Sequence, residues 1–206
     1  MSYTVKSHLL QHDGKTCEFV QTPNGGRPLK PLYLIIHYTA GTTAKSAVNW
    51  FKRPEAKASA HLVIDLDGGV TQMMPFNRVC WHAGRSELNG IVGYNNYSIG
   101  IEIVNAGLLT KSADGKWRTW YGNVIPDKDV VIATHKHGGN PSGWHIFTAA
   151  QIDAVTEIGV ALNQTYKFID VLGHEDVSRG RKIDPGPAFP LPSVRSKILG
   201  RGEGQG

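Results

Sequence analysis

Leu32-Tyr33-Leu34-Ile35-Ile36-His37-Tyr38-Thr39 is followed at once by Ala40-Gly41. A short unbroken apolar run closed by a turn signal reads as a strand buried on both faces. Its histidine sits at the end of the run, where a strand delivers a side chain to the rim of a sheet. Downstream, Thr42 or Thr43 can cap a helix running to about Arg53, with Ala47, Trp50 and Phe51 on its inner face and Pro54 as its stop. Ser59–Asp65 and Val70–Pro75 read as strands flanking the hairpin turn Asp67-Gly68-Gly69, and Arg78–His82 as a third. In Ser98–Asn105, Ile99, Ile101 and Ile103 alternate with Ser98, Gly100 and Glu102. That period of two places Glu102 on the face opposite the isoleucines. Thr148-Ala149-Ala150-Gln151 is a capping-box pattern. It opens the clearest helix, with Ile152, Val155, Ile158 and Leu162 on one face and an end near Tyr166. Phe168–Leu172 reads as another strand.

Length and composition bound what such a chain can be. The 206 residues favour a single domain, with 40% hydrophobic and 19% charged residues as in an ordinary soluble protein. The net charge of +5 and pI near 9.2 favour polyanionic surroundings, such as nucleic acid or an anionic cell envelope. The two cysteines, Cys17 and Cys80, form no CxxC motif and demand no oxidising compartment. Cys80 reads as a small core residue, and a disulfide between the two stays open. Met1–Lys15 lacks the apolar core of a signal peptide, and no apolar run is long enough to span a bilayer. The expectation is synthesis in the cytoplasm, with delivery by another system if the target lies outside. Residues 1–30 read as a polar N-terminal extension. Residues 107–147 read as an insertion without clear periodicity, holding Trp117, Trp120, Tyr121, Trp144 and the cluster His135-Lys136-His137. Residues 196–206, ending in the Gly-rich Gly200–Gly206, read as a disordered tail.

The chemistry concentrates in His174-Glu175-Asp176-Val177-Ser178-Arg179-Gly180-Arg181-Lys182-Ile183-Asp184-Pro185-Gly186-Pro187. One loop bounded by Gly and Pro holds a histidine, cations and a carboxylate, while His37 stands far upstream. Imidazoles suit zinc, and three protein ligands with one open position make a hydrolytic zinc site. A metal-assisted hydrolase follows. His61 and His82 admit three readings: partners orienting a ligand, substrate contacts, or packed polar residues. Cleft lining is favoured for Trp81 and His82. His135 and His137 read as surface residues, and His8 and His12 carry little weight.

Five segments occur in order: Ile35-Ile36-His37-Tyr38-Thr39-Ala40, Ser59-Ala60-His61, Trp81-His82-Ala83-Gly84, Ser98-Ile99-Gly100-Ile101-Glu102, and Gly173-His174-Glu175-Asp176 leading to Lys182-Ile183-Asp184-Pro185-Gly186-Pro187. Together they resemble the zinc-dependent N-acetylmuramoyl-L-alanine amidases. This amidase-2 branch includes muropeptide-recycling amidases, phage endolysins and peptidoglycan recognition proteins. The resemblance covers roughly residues 30–190, with 31–195 as the catalytic domain. It implies an α/β fold, a mixed β-sheet flanked by helices with a zinc site at one end of the sheet. It implies cleavage of the amide between the muramic acid lactyl group and L-alanine. Carried over by position, His37, His174 and Asp184 would bind Zn2+; some members use Cys where Asp184 stands. Glu102 would be the catalytic carboxylate and Lys182 the cation beside the third ligand. Tyr38, His61, Trp81 and His82 are candidate substrate-binding residues, and Tyr38 is the reserve candidate for the base.

The leading expectation is an amidase acting on intact wall, as a monomer. The alternatives are a cytoplasmic amidase recycling anhydro-muropeptides and a peptidoglycan-binding module without catalysis. The full ligand set argues against the second. A nucleic-acid binder rests on charge alone, with no basic cluster or recognised motif.

Overall fold

A computed structural model describes residues 2–201. The chain opens with an antiparallel meander, β1 (Tyr3–Lys6), β2 (Leu9–His12) and β3 (Lys15–Thr16), followed by β4 (Glu18–Phe19) and β5 (Gly25–Pro28). Then come β6 (Tyr33–Tyr38), α1 (Ala44–Phe51), β7 (Leu62–Ile64), β8 (Val70–Gln72) and β9 (Arg78–Cys80). After β10 (Glu87–Leu88) and β11 (Ile91–Val92), β12 runs from Ser98 to Ile103. The main sheet has the order β18-β6-β12-β7-β8-β4, where β18 is Asp170–Gly173. All its pairings are parallel except the β7–β8 hairpin, so the sheet is mixed.

Alternation along β6 and β12 divides the core in two. Leu34, Ile36, Ile99, Ile101 and Ile103 face the long helix α2 (Ala149–Tyr166), meeting Val155, Ile158 and Leu162. Tyr33 and Ile35 face the other way and pack with Ala83, Tyr94, Leu172 and Val177. His37 continues that second face, and Glu102 lies directly opposite it across the parallel ladder. Strand β18 ends at Gly173, level with Ile36, so the next residue, His174, arrives beside His37. The strands thus deliver their chemistry at their carboxyl ends, as open sheets with parallel strands commonly do. Gly100 has a packing role here. A Cβ at this position would lie 2.4 Å from the His82 ring, so only glycine lets that imidazole approach the strand this closely.

Several expectations change on contact with the structure. The polar N-terminus is part of the domain: Leu10 is fully buried, and β4 forms an edge of the main sheet. Helix α1 buries Phe51 but leaves Trp50 half exposed; its inner stripe is Ala44, Ala47, Val48 and Phe51, and Trp50 falls outside that spacing. Residues 107–147 fold as a second sheet, β13 (Leu108–Lys111), β14 (Trp117–Arg118), β15 (Val124–Ile125), β16 (Val130–Ala133) and β17 (Ser142–His145), in the order β15-β14-β13-β17-β16. Its own small core joins Ala106, Leu109 and Ile125 with Trp117 and Val130. The supposed tail begins inside a helix: after α3 (His174–Val177), α4 (Leu191–Leu199) packs Val194 and Ile198 against α2. Residues 202–206 of that tail lie outside the described residues. Both cysteines are free, and Cys80 is buried. No described helix is long and apolar enough to cross a membrane.

Candidate metal centre

His37, His174 and Asp184, all buried, bring one donor atom each to within 4.8 Å of the others. Asp184 Oδ2 lies 3.1 Å from His37 Nδ1 and 2.9 Å from His174 Nδ1. The second nitrogen of each ring decides what those short distances mean. His174 Nε2 lies 3.0 Å from the Ala83 carbonyl, which can only accept, so Nε2 carries the proton. On the other side, His82 Nε2 points at the Ser98 carbonyl at 3.3 Å and must donate. His82 Nδ1 is then the acceptor for His37 Nε2–H at 2.9 Å. Both neutral rings therefore turn a bare Nδ1 lone pair towards a carboxylate oxygen. Three electron-pair donors converging in a buried space are the donor set of a divalent cation. Two imidazoles and one carboxylate suit zinc and leave a coordination position open.

The electrostatics agree with neutral imidazoles. Burial, then the neighbouring His174, pushes His37 down to about 4, against the opposing pull of Asp184. Burial and the facing His37, His61 and His174 lower His82 well below the ordinary histidine value.

Glu102 borders this cluster. Its Oε2 is the one buried side-chain polar atom without a hydrogen-bond partner among the described residues. Burial first, then Asp184, raises its carboxyl well above the usual range, with Lys182 opposing. Lys182 is exposed, two residues before Asp184. Tyr38 is partly buried, its ring pressed on Gly107, where a Cβ would come within 2.3 Å of it. Burial and Asp184 raise its hydroxyl, which keeps it protonated at neutral pH.

The family model described as N-acetylmuramoyl-L-alanine amidase matches residues 27–187. The chain belongs to this amidase family. The 1,6-anhydro-N-acetylmuramyl-L-alanine amidase AmpD of Escherichia coli is 30% identical over 135 residues, covering 65% of this chain and 54% of AmpD. The N-acetylmuramoyl-L-alanine amidase AmiD of Escherichia coli is 27% identical over 176 residues, covering 81% of this chain and 53% of AmiD. The chain thus spans just over half the length of these curated relatives. A crystal structure of an AmpD derivative shares the fold, with a TM-score of 0.67 at 22% identity over 94% of this chain and 98% of that one.

In this family member the expected site residues divide into two groups. His37, His174, Asp184 and Glu102 come together. Trp81 is 40% exposed and open to a ligand. His61 is fully buried: Nε2–H donates to the Arg78 carbonyl at 2.8 Å, and Nδ1 accepts from the Gly100 N–H at 3.0 Å. Both of its ring nitrogens are therefore engaged with backbone groups. His82 likewise reaches His37 instead of lining the cleft. The surface reading of His135 also gives way, since its Nε2 lies 2.6 Å from the buried Glu175 Oε2. Sequence reasoning missed Glu175 and Arg181. Arg181 Nη2 lies 2.6 Å from the Ala83 carbonyl that fixes His174. Of the insertion's tryptophans, Trp144 is buried, whereas Trp120 is 77% exposed with its indole N–H held by Ala40 O at 3.0 Å.

Proposed function

We propose that the chain is a zinc-dependent N-acetylmuramoyl-L-alanine amidase that hydrolyses the amide between N-acetylmuramic acid and L-alanine of peptidoglycan, acting on intact wall. The observation that carries this reading is the convergence of three donor atoms, two of them bare imidazole nitrogens, beside a carboxyl with an unpartnered buried oxygen. His37, His174 and Asp184 would hold the ion, while His82 and the Ala83 carbonyl fix the rings. Zinc held there would lower the pKa of water towards neutrality and polarise a carbonyl. Glu102 accepts the proton of the attacking water and returns it to the departing alanine nitrogen. A carboxyl that burial makes unusually basic is suited to both transfers. Lys182, at the mouth of the site, faces the charge that develops on the carbonyl oxygen. Tyr38, held protonated, is a poorer base than Glu102 and serves as a hydrogen-bond donor to substrate beside Trp81.

A second reading, recycling of soluble anhydro-muropeptides, is favoured by the likeness to AmpD, whose name specifies a 1,6-anhydro substrate. One digest separates them. Purified sacculi and anhydro-muropeptides are incubated with the zinc-loaded protein, and products are identified by mass. Wall activity is expected to release stem peptides with new L-alanine amino termini and no new reducing ends. New reducing ends would mean a glycosidase. Inert sacculi with rapid cleavage of anhydro-muropeptides would replace the first reading by the second.

A further inference from the structure

We propose that His135 and Lys136 are positioning residues for the metal centre, through which the inserted sheet braces the loop carrying His174 and Asp184. The inference rests on the reading of His37, His174 and Asp184 as zinc ligands. Its pivot is Glu175, whose side chain is only 3% exposed. A carboxylate taken out of water needs charged or hydrogen-bonding partners. Within its own loop Glu175 Oε2 accepts only the Gly186 N–H, at 3.3 Å; the charged and closer partners come from outside, with His135 Nε2 2.6 Å from Oε2 and Lys136 Nζ 2.8 Å from Oε1. Its carbonyl accepts from His137 Nε2 at 3.2 Å. All three outside donors sit on the connection between β16 and β17.

Glu175 is tied to both ligands of the loop. It follows His174 directly, and its backbone N–H donates to the Asp184 carbonyl at 2.8 Å. Lys136 adds a second tether, 2.7 Å to Asp176 Oδ1, while Asp176 Oδ2 accepts from the Gly173 N–H at 2.8 Å and so secures the start of α3 at His174. Trp144 of β17 closes the other end. It lies where a Cβ on Gly186 would come within 2.6 Å of its ring, two residues past Asp184. The insertion thus fixes the two ends of the ligand loop, residues 173–176 and 184–186. Nothing in the proposed chemistry otherwise uses the buried Glu175 carboxylate or its partners.

The test is the zinc dissociation constant, measured by chelator competition on the full chain, with folding followed by circular dichroism. Outer partners of metal ligands typically change affinity by about 10–100-fold. His135→Ala and Lys136→Met should each weaken zinc binding within that range, and Lys136→Arg should restore most of it. The effect should pass through Glu175, so His135→Ala should add little in a Glu175→Gln background. Arg118→Ala, which removes an ion pair with Asp114 elsewhere in the insertion, should leave zinc affinity unchanged. Wild-type affinity in both His135→Ala and Lys136→Met overturns the inference, as does an equal loss in Arg118→Ala or full additivity with Glu175→Gln. A wild-type protein that takes up no zinc would instead overturn the metal reading, and this inference with it.

Discussion

At Glu102 a carboxyl oxygen is closed off from water without a hydrogen-bond partner, a condition that normally costs about 1–3 kcal/mol. Folding does not remove that cost, whereas a reacting water or amide would. Glu102→Gln keeps the shape and deletes the proton acceptor. Turnover should fall roughly 10²–10⁴-fold with zinc content unchanged. Near wild-type turnover in this variant would place the base elsewhere. His61 offers a contrasting test of a residue with no part in the chemistry. Burial, opposed by its bond to Arg78, pushes it from the ordinary 6.5 down to about 4. Between those values the unfolded chain binds the extra proton, so this contribution to stability is complete above pH 6.5 and is lost as pH falls towards 4. The proton chemical shift of the His61 imidazole should stay in its neutral position at pH 5.5, and a midpoint near 6.5 would refute its buried, doubly bonded state. Both histidines and the carboxylate were visible in the sequence. What was not visible was which nitrogen of each ring was already spent, because tautomers are set by partners far away in the chain.

Among the elements, α2 was legible from its capping box, which forms as written: Thr148 accepts from Gln151 N–H and Gln151 Oε1 accepts from Thr148 N–H. Helix α4 was not legible. It has no capping side chain, follows Pro190 directly, and buries only Leu191, Val194 and Ile198. Its place is set by distant partners: Ile198 fills the space left by Gly159 of α2, and Arg195 grips Asp170 through two bonds of 2.6 and 2.9 Å. Ile198 is 2% exposed. Ile198→Ala should therefore destabilise the fold by about 2–5 kcal/mol, read as a lowered denaturant midpoint. A loss below about 0.5 kcal/mol, the range of plain surface changes, would mean that α4 does not hold this face.

Across the whole molecule, the net charge of +5 should draw the protein to an anionic envelope. Co-sedimentation with purified sacculi should weaken as salt rises from 0.1 to 1 M, where the Debye length shrinks from about 10 Å to about 3 Å. Salt-independent binding would show that charge plays no part in targeting. The sequence by itself determined the strands β6 and β12, the facing of Glu102, the long helix α2 and the three converging donors. Those features depend on local periodicity and on ordered motifs, which a linear reading preserves. Only the tertiary structure decided the insertion's fold, the place of α4, the burial of His61 and the joining of His135 and Lys136 to Glu175. The last three each involve contacts 35 or more residues apart in the chain, and the insertion's short strands carry too little periodicity to be read locally. A surface lysine and a lysine bracing a buried carboxylate look the same until folding brings that carboxylate within reach.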